Sequence, residues 1–255
     1  MKRLFRLLVI SCLLTPVSCL LFISCTQDGY DKGVGQYSYL RGDFVEAQVG
    51  AEKTIVSLTT DDGETLPLST PYSVKWITRP DTVYRCMLFY NKVRETNGQY
   101  VAEPISIGEV PCPIITPLAE LETAMKTDPV GFESAWMSKT GKYLNLSLVL
   151  MTGTPDVETA TQRLMMVQDT ILTNPDATRT SFLRLYHDQG GVPEYYSAHA
   201  YASIILSQIP ADSVRLRLNT YKGLVEKTFL ISRSLHSCLE WFTLSKNCSK
   251  SKSML

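Results

Sequence analysis

Apolar and polar positions alternate in a way that predicts strands through most of the chain. Val45, Ala47 and Val49 alternate with Phe44, Glu46 and Gln48, giving one apolar face at period two. Residues 54–58 and 65–68 are β-prone and flank Asp61-Asp62-Gly63-Glu64. An Asp-Gly pair between such runs is a hairpin signal. Residues 83–90 (VYRCMLFY) are almost continuously apolar and aromatic, which fits a central strand buried on both sides. Asn97-Gly98 then turns the chain back through Tyr100-Val101 towards residues 105–110.

Pro111, Pro113 and Pro117 fall within seven positions and mark a domain junction. Thr116 as N-cap and Pro117 in the first turn predict one short linking helix, with Leu118, Leu121 and Met125 on one face and Asp128-Pro129 ending it. Strand grammar then resumes. Leu144, Leu146 and Leu148 alternate with Asn145 and Ser147. Residues 164–167 and 182–186 are short apolar runs, the latter entering a turn at Gly190-Gly191. Ala200, Ala202, Ile204 and Leu206 share one side, and Val214, Leu216 and Leu218 oppose Arg215, Arg217 and Asn219. Residues 154–162 read either as a helical turn or as a long loop. Strands at short spacing with polar turns predict an all-β chain with an antiparallel β-sandwich. Residues 232–255 are Ser- and Lys-rich and read as an appendage, a weak helix or a disordered tail.

The N-terminus carries a different signal. Lys2, Arg3 and Arg6 precede an apolar run over 7–23, which stops at Ser24-Cys25. A small residue directly before cysteine at the end of such a run is the lipoprotein pattern. Residues 1–24 are thus expected to be a signal peptide, Cys25 the lipidated residue, and 25–40 a tether. Several acyl chains hold a protein to a bilayer more firmly than one. A plain cleaved signal, an uncleaved spanning helix and lipidation at Cys19 are the competing readings. The partner this implies is a membrane, reached through the lipid anchor. The location expected is the outer membrane, with the protein facing the periplasm or the cell surface.

Charge and cysteines narrow the classes. Loss of residues 1–24 removes three basic side chains and no acid, leaving 22 of the 25 basic residues against all 25 acidic ones. A mildly acidic protein lacks the basic footprint of a nucleic-acid binder. Of the cysteines downstream of Cys25, Cys86 and Cys112 form a candidate disulfide outside the cytosol, the alternative being two ordinary buried cysteines. The spacing of the cysteines suggests neither zinc nor thioredoxin chemistry.

The order of segments resembles the NigD-like lipoproteins. The residues that carry the resemblance are Arg41-Gly42-Asp43-Phe44, residues 58–68 (LTTDDGETLPL), Pro113-Ile114-Ile115 and Asp128-Pro129. Trp136 with residues 141–146 (GKYLNL), and residues 182–187 (FLRLYH), complete the set. The resemblance covers about residues 41–230 and implies an OB-like barrel over 41–113 and a β-sandwich over 114–231. It implies no enzyme activity, and makes an accessory or bacteriocin-immunity role an alternative.

Candidate chemistry is sparse. His187, Asp188 and His199 would meet if 182–186 paired with 199–206, which is the alternative of a metal-dependent or hydrolytic enzyme; solvated turn histidines are the competing reading. No nucleophile elbow, zincin or phosphate-loop pattern occurs. Asp61, Asp62 and Glu64 lack calcium-loop spacing and read as a tight turn. No catalytic residue, metal or cofactor is therefore predicted. Tyr186, Tyr195, Tyr196 and Tyr201 form the candidate binding surface, for an envelope protein or a glycan, with cross-strand packing as the competing reading. The expected function is a non-catalytic binding or accessory module of the cell envelope.

Overall fold

The computed structural model describes residues 40–154 and 160–231. The signal segment, Cys25, the tether up to residue 39 and the tail from 232 lie outside the described residues, as does 155–159 within the ambiguous 154–162 segment. Among the described residues no helix is long and apolar enough to cross a membrane.

The first strands are β1 (Leu40–Val49), β2 (Ile55–Thr60), β3 (Thr65–Tyr72), β4 (Val83–Arg94) and β5 (Tyr100–Glu109). They close a barrel in the order β1-β2-β3-β5-β4, with β3 and β5 paired parallel at Leu68 and Ala102. Closure and this order make the barrel OB-like. The alternation read in β1 turns Val45, Ala47 and Val49 inward, where they meet Leu58, Leu66, Leu88 and Tyr90. The same alternation turns Phe44 and Glu46 outward, opposite Met87 and Arg85 on β4. The Asp-Gly hairpin forms between β2 and β3. Gly63 adopts φ 87°, and its N–H donates to Thr60 O at 2.9 Å.

The remaining strands are β6 (Ile115–Pro117), β7 (Gly131–Met137), β8 (Tyr143–Thr152), β9 (Arg163–Thr173), β10 (Arg179–Asp188), β11 (Tyr196–Ile205), β12 (Ser213–Thr220) and β13 (Gly223–Leu230). They make two sheets, β13-β12-β10-β9-β6 and β11-β8-β7. Leu144, Leu146 and Leu148 of β8 face Leu183, Leu185, Val214, Leu216 and Leu218 between the sheets. Each of these β8 leucines is essentially fully buried, contributing roughly 1.5–3 kcal/mol by transfer from water.

Three expectations change here. The linking helix is absent. Pro117 is extended (φ −58°, ψ 141°), residues 115–117 pair with β9, and only a single 3-10 turn follows at Leu118–Glu120. An isolated helix this short has little stability of its own, and Leu118 stays exposed, so no apolar stripe is available to dock it. The open edge of β9 instead takes up the backbone hydrogen bonds of the segment. The sandwich is also mixed rather than purely antiparallel, since β10–β12 and β6–β9 run parallel. Between β10 and β12 the chain crosses to the other sheet as β11, so it returns to the first sheet in the same direction. Finally, β10 and β11 do not pair. β11 pairs with β8, because Ala200, Ala202 and Ile204 pack into the core facing the opposite sheet.

Candidate binding cleft between barrel and sandwich

Strand β8 is buried on both faces. Its leucines fill the sandwich core, yet Asn145 and Ser147 on the other side are also buried. Hydrogen-bonding groups without water need partners; Glu133 of β7 takes the Ser147 hydroxyl, and the barrel supplies partners for Asn145. Arg85, projecting outward from β4, donates from Nε to Ser203 Oγ at 3.1 Å. Its Nη2 donates to Asn145 Oδ1 at 3.0 Å and pairs with the Asp61 carboxylate at 2.8 Å. Asn145 Nδ2 donates to Asp61 at 2.7 Å, and Ser203 Oγ donates to Asn145 Oδ1 at 2.7 Å. The guanidinium lies 3.9 Å from the Tyr143 ring centroid. Four side chains from four strands and turns are thus locked in one network. A second clamp joins Glu46 of β1 to Lys142 at 2.9 Å and to the Tyr143 hydroxyl at 2.9 Å. Burial and this carboxylate push the Tyr143 phenol up. The β2–β3 turn adds Thr140 N–H to Asp61 O at 3.0 Å and Lys139 to Asp62 at 2.8 Å.

Beside this joint opens a cleft of about 690 Å³. Phe44 stands edge-on to two rings of the sandwich, Trp136 and Tyr201, each with centroid 5.4 Å away and interplanar angles of 81° and 90°. Phe44 is buried, while Trp136 and Tyr201 are half-buried and present their remaining surface to the cleft. Ser134 and Ser147, neighbours of Tyr201 across the sheet, continue that wall. The barrel wall carries Arg41, Asp43, Asp61, Asp62 and Glu64.

Each carboxylate there has a resident partner. Asp43 accepts from Tyr90 Oη at 2.8 Å, and burial, with this bond, pushes the Tyr90 phenol up to about 12. Asp61 holds Arg85, Asp62 holds Lys139, and Glu64 pairs with Lys92 and, at 3.4 Å, with Arg41. At the rim, Ser147 Oγ donates to Glu133 Oε2 at 2.6 Å and His199 Nδ1 lies 3.3 Å from Glu133 Oε1. The serine hydrogen bond, then the histidine, hold the Glu133 carboxyl below the usual range.

The candidate tyrosines part company. Tyr201 lines the cleft. Tyr195 and Tyr196 are exposed at the start of β11, outside the cleft lining, and the Tyr195 ring lies against Gly153. Tyr186 is 2% exposed, a wall residue of β10 close to Lys126, and is withdrawn from any surface. The histidines are not brought together either. His187, buried on β10, donates from Nδ1 to Asp128 O at 3.0 Å, and Asp188 pairs with Lys126 at 2.8 Å. His199 is exposed on β11, in the other sheet. Among the described residues no three His, Cys, Asp or Glu side chains are grouped to hold a metal ion. Cys86 and Cys112 carry free thiols rather than a bridge. Cys86 points into the barrel core with Sγ toward Tyr84 O, whereas Cys112 lies on the exit from the barrel with Sγ toward Val110 O.

Sequence reasoning did not single out Arg85, Asp61 or Trp136 as site residues. The arginine inside the apolar run 83–90 was the available signal, because a charge on a strand buried on both sides must meet a countercharge.

Residues 113–231 match the model of the NigD-like C-terminal beta sandwich domain. Among solved structures, the fold is similar to that of a NigD-like immunity protein from Bacteroides caccae. That pair shares 24% identity, has a TM-score of 0.59, and covers 74% of this chain and 96% of the other. A protein of unknown function from Bacteroides vulgatus is similar at 18% identity and TM-score 0.55, covering 77% and 92%. A candidate lipoprotein from Bacteroides fragilis is similar at 10% identity and TM-score 0.55, covering 75% and 96%. No curated protein matches the sequence. At these identities the likeness is one of fold.

Proposed function

Because residues 113–231 form a NigD-like C-terminal β-sandwich domain, we propose that the chain is a lipid-anchored, non-catalytic binding module of the cell envelope. Its ligand is held in the cleft between barrel and sandwich. The observation that carries this reading is the aromatic floor of Trp136 and Tyr201, fixed edge-on by Phe44 and walled by polar groups already locked in hydrogen bonds. Rings held by packing lose little freedom on binding, which favours recognition. The envelope address rests on the Ser24-Cys25 pattern and on likeness to the candidate lipoprotein from Bacteroides fragilis. Tyr195 and Tyr196 form a second exposed surface available to the same partner.

The test is affinity capture from detergent-solubilised envelope with the lipidated protein, a signal-less version serving as control. The expected result is a captured ligand or partner that Trp136→Ala and Tyr201→Ala lose. Capture unchanged by both variants but abolished by Tyr195→Ala or Tyr196→Ala would move the site to the second surface. Likeness to the Bacteroides caccae immunity protein favours a second reading, in which one protein is captured in stoichiometric amount.

A further inference from the structure

We infer that the ligand of this cleft is an uncharged carbohydrate chain, an assignment that rests on the cleft being the binding site and names what fills it. The wall chemistry selects by elimination. An anion would face Asp43, Asp61, Asp62 and Glu64. A cation would have to compete at Asp61, Asp62 and Glu64 with Arg85, Lys139, Lys92 and Arg41, which already pair with them, while Asp43 is engaged by the Tyr90 hydroxyl. Two of those acids, Asp61 and Glu64, are held by more than one donor. A largely apolar ligand would strand this wall without hydrogen bonds.

A neutral hydroxyl displaces nothing. A carboxylate engaged by one cation keeps lone pairs free to accept further O–H groups. Arg41 offers donors, Thr60, Ser134 and Tyr201 offer hydroxyls, and Ser147, whose proton goes to Glu133, can still accept. A ligand with many hydroxyls, each donor and acceptor at once, fits such a mixed wall. The C–H face of a sugar ring completes the match by lying against the half-exposed Trp136 and Tyr201 rings. The site is built from the start of β1, the β2–β3 turn and the outer face of the three-stranded sheet. It therefore differs from the strand face and loops by which OB barrels usually hold oligomers.

The experiment probes the full chain, in a detergent without a sugar headgroup, with an array of neutral oligosaccharides and, in parallel, a set of Lys- and Arg-rich peptides. Hits are titrated calorimetrically at low and high salt. The expected result is oligosaccharide binding that salt leaves unchanged, as suits an uncharged ligand, and that Trp136→Ala weakens about tenfold or more. Asp62→Asn, at a side chain 61% exposed and outside the buried network, is the companion variant whose folding is not at issue, and it weakens binding as well. Peptide binding that falls with salt and with Trp136→Ala, without any oligosaccharide hit, overturns the carbohydrate assignment and leaves the cleft as the site. Oligosaccharide binding that both variants leave intact overturns the placement in the cleft. An array and peptide set that both stay blank overturn the carbohydrate assignment, while the envelope capture judges the cleft separately.

Discussion

At the scale of single residues, Arg85 is the group on which the joint depends most. It is 7% exposed and is engaged by three partners and two rings, Tyr143 and Phe44. Truncation leaves the Asp61 carboxylate and the Asn145 amide facing each other with their cation gone, the costly way to break a buried pair. Arg85→Ala is therefore expected to lower unfolding free energy by about 3 kcal/mol in urea titration. Arg85→Lys should recover little of it, because an ammonium cannot fork between Ser203, Asn145 and Asp61 while stacking on Tyr143. Full rescue by lysine would show that charge alone matters. Tyr186 was legible as an aromatic but not as a buried one. Its place in the wall depends on the segment 126–128 crossing over β10, through Thr127 beside His187 and the His187 N–H donating to Lys126 O, and no local pattern announces that crossing.

At the scale of strands, β4 carries both an outward row that meets the sandwich and an inward row that closes the barrel. Cys86 and Tyr90 belong to the inward row, and burial opposes ionisation of each. The Cys86 thiol moves from near 9 to about 12, and the Tyr90 phenol from near 10 to about 12. Their protonated forms are favoured by folding, so this contribution is complete below pH 9 and is lost as pH rises through 12. Denaturation midpoints should hold steady at neutral pH and decline across that alkaline window. Cys86→Ala should lower stability throughout but flatten the decline; an unaltered decline would exclude the thiol as a cause. Periodicity made β1, β8 and β12 readable, because period-two alternation reflects a core beneath each, and a continuous apolar run did so for β4. It failed for 115–121, where helix caps were present but no partner for the apolar face. Alternation alone also does not reveal that β8 is covered on both faces, because Asn145 and Ser147 look like solvent positions until the barrel lies over them.

At the scale of the whole molecule, the buried network should make barrel and sandwich unfold together. Trp76 packs on Tyr84 in the barrel and Trp136 stands on the sandwich, so each reports one domain once the other tryptophans are changed to phenylalanine. The two fluorescence transitions are expected to coincide in urea, and to separate when Arg85→Ala or Asp61→Ala is added. Transitions that differ without those substitutions would show the joint to be weak. The all-β plan, a barrel followed by a β-sandwich, was readable from the order of segments. The cleft was not, because its walls come from residues near 41, 61, 136 and 201, which only the docking of the domains assembles.

The separation of those residues along the chain also sets an order of events during synthesis. A chain emerging from its N-terminal end can finish the barrel once Glu109 has appeared, but Asn145 and Ser203 arrive later. Until they do, the newborn barrel displays Phe44 and an Arg85–Asp61 pair without its Asn145 and Ser203 partners, a sticky patch with no lid. Contacts this distant in sequence form slowly, and exposed surface of that kind invites association between chains. The period between the two arrivals is when this protein most needs an escort.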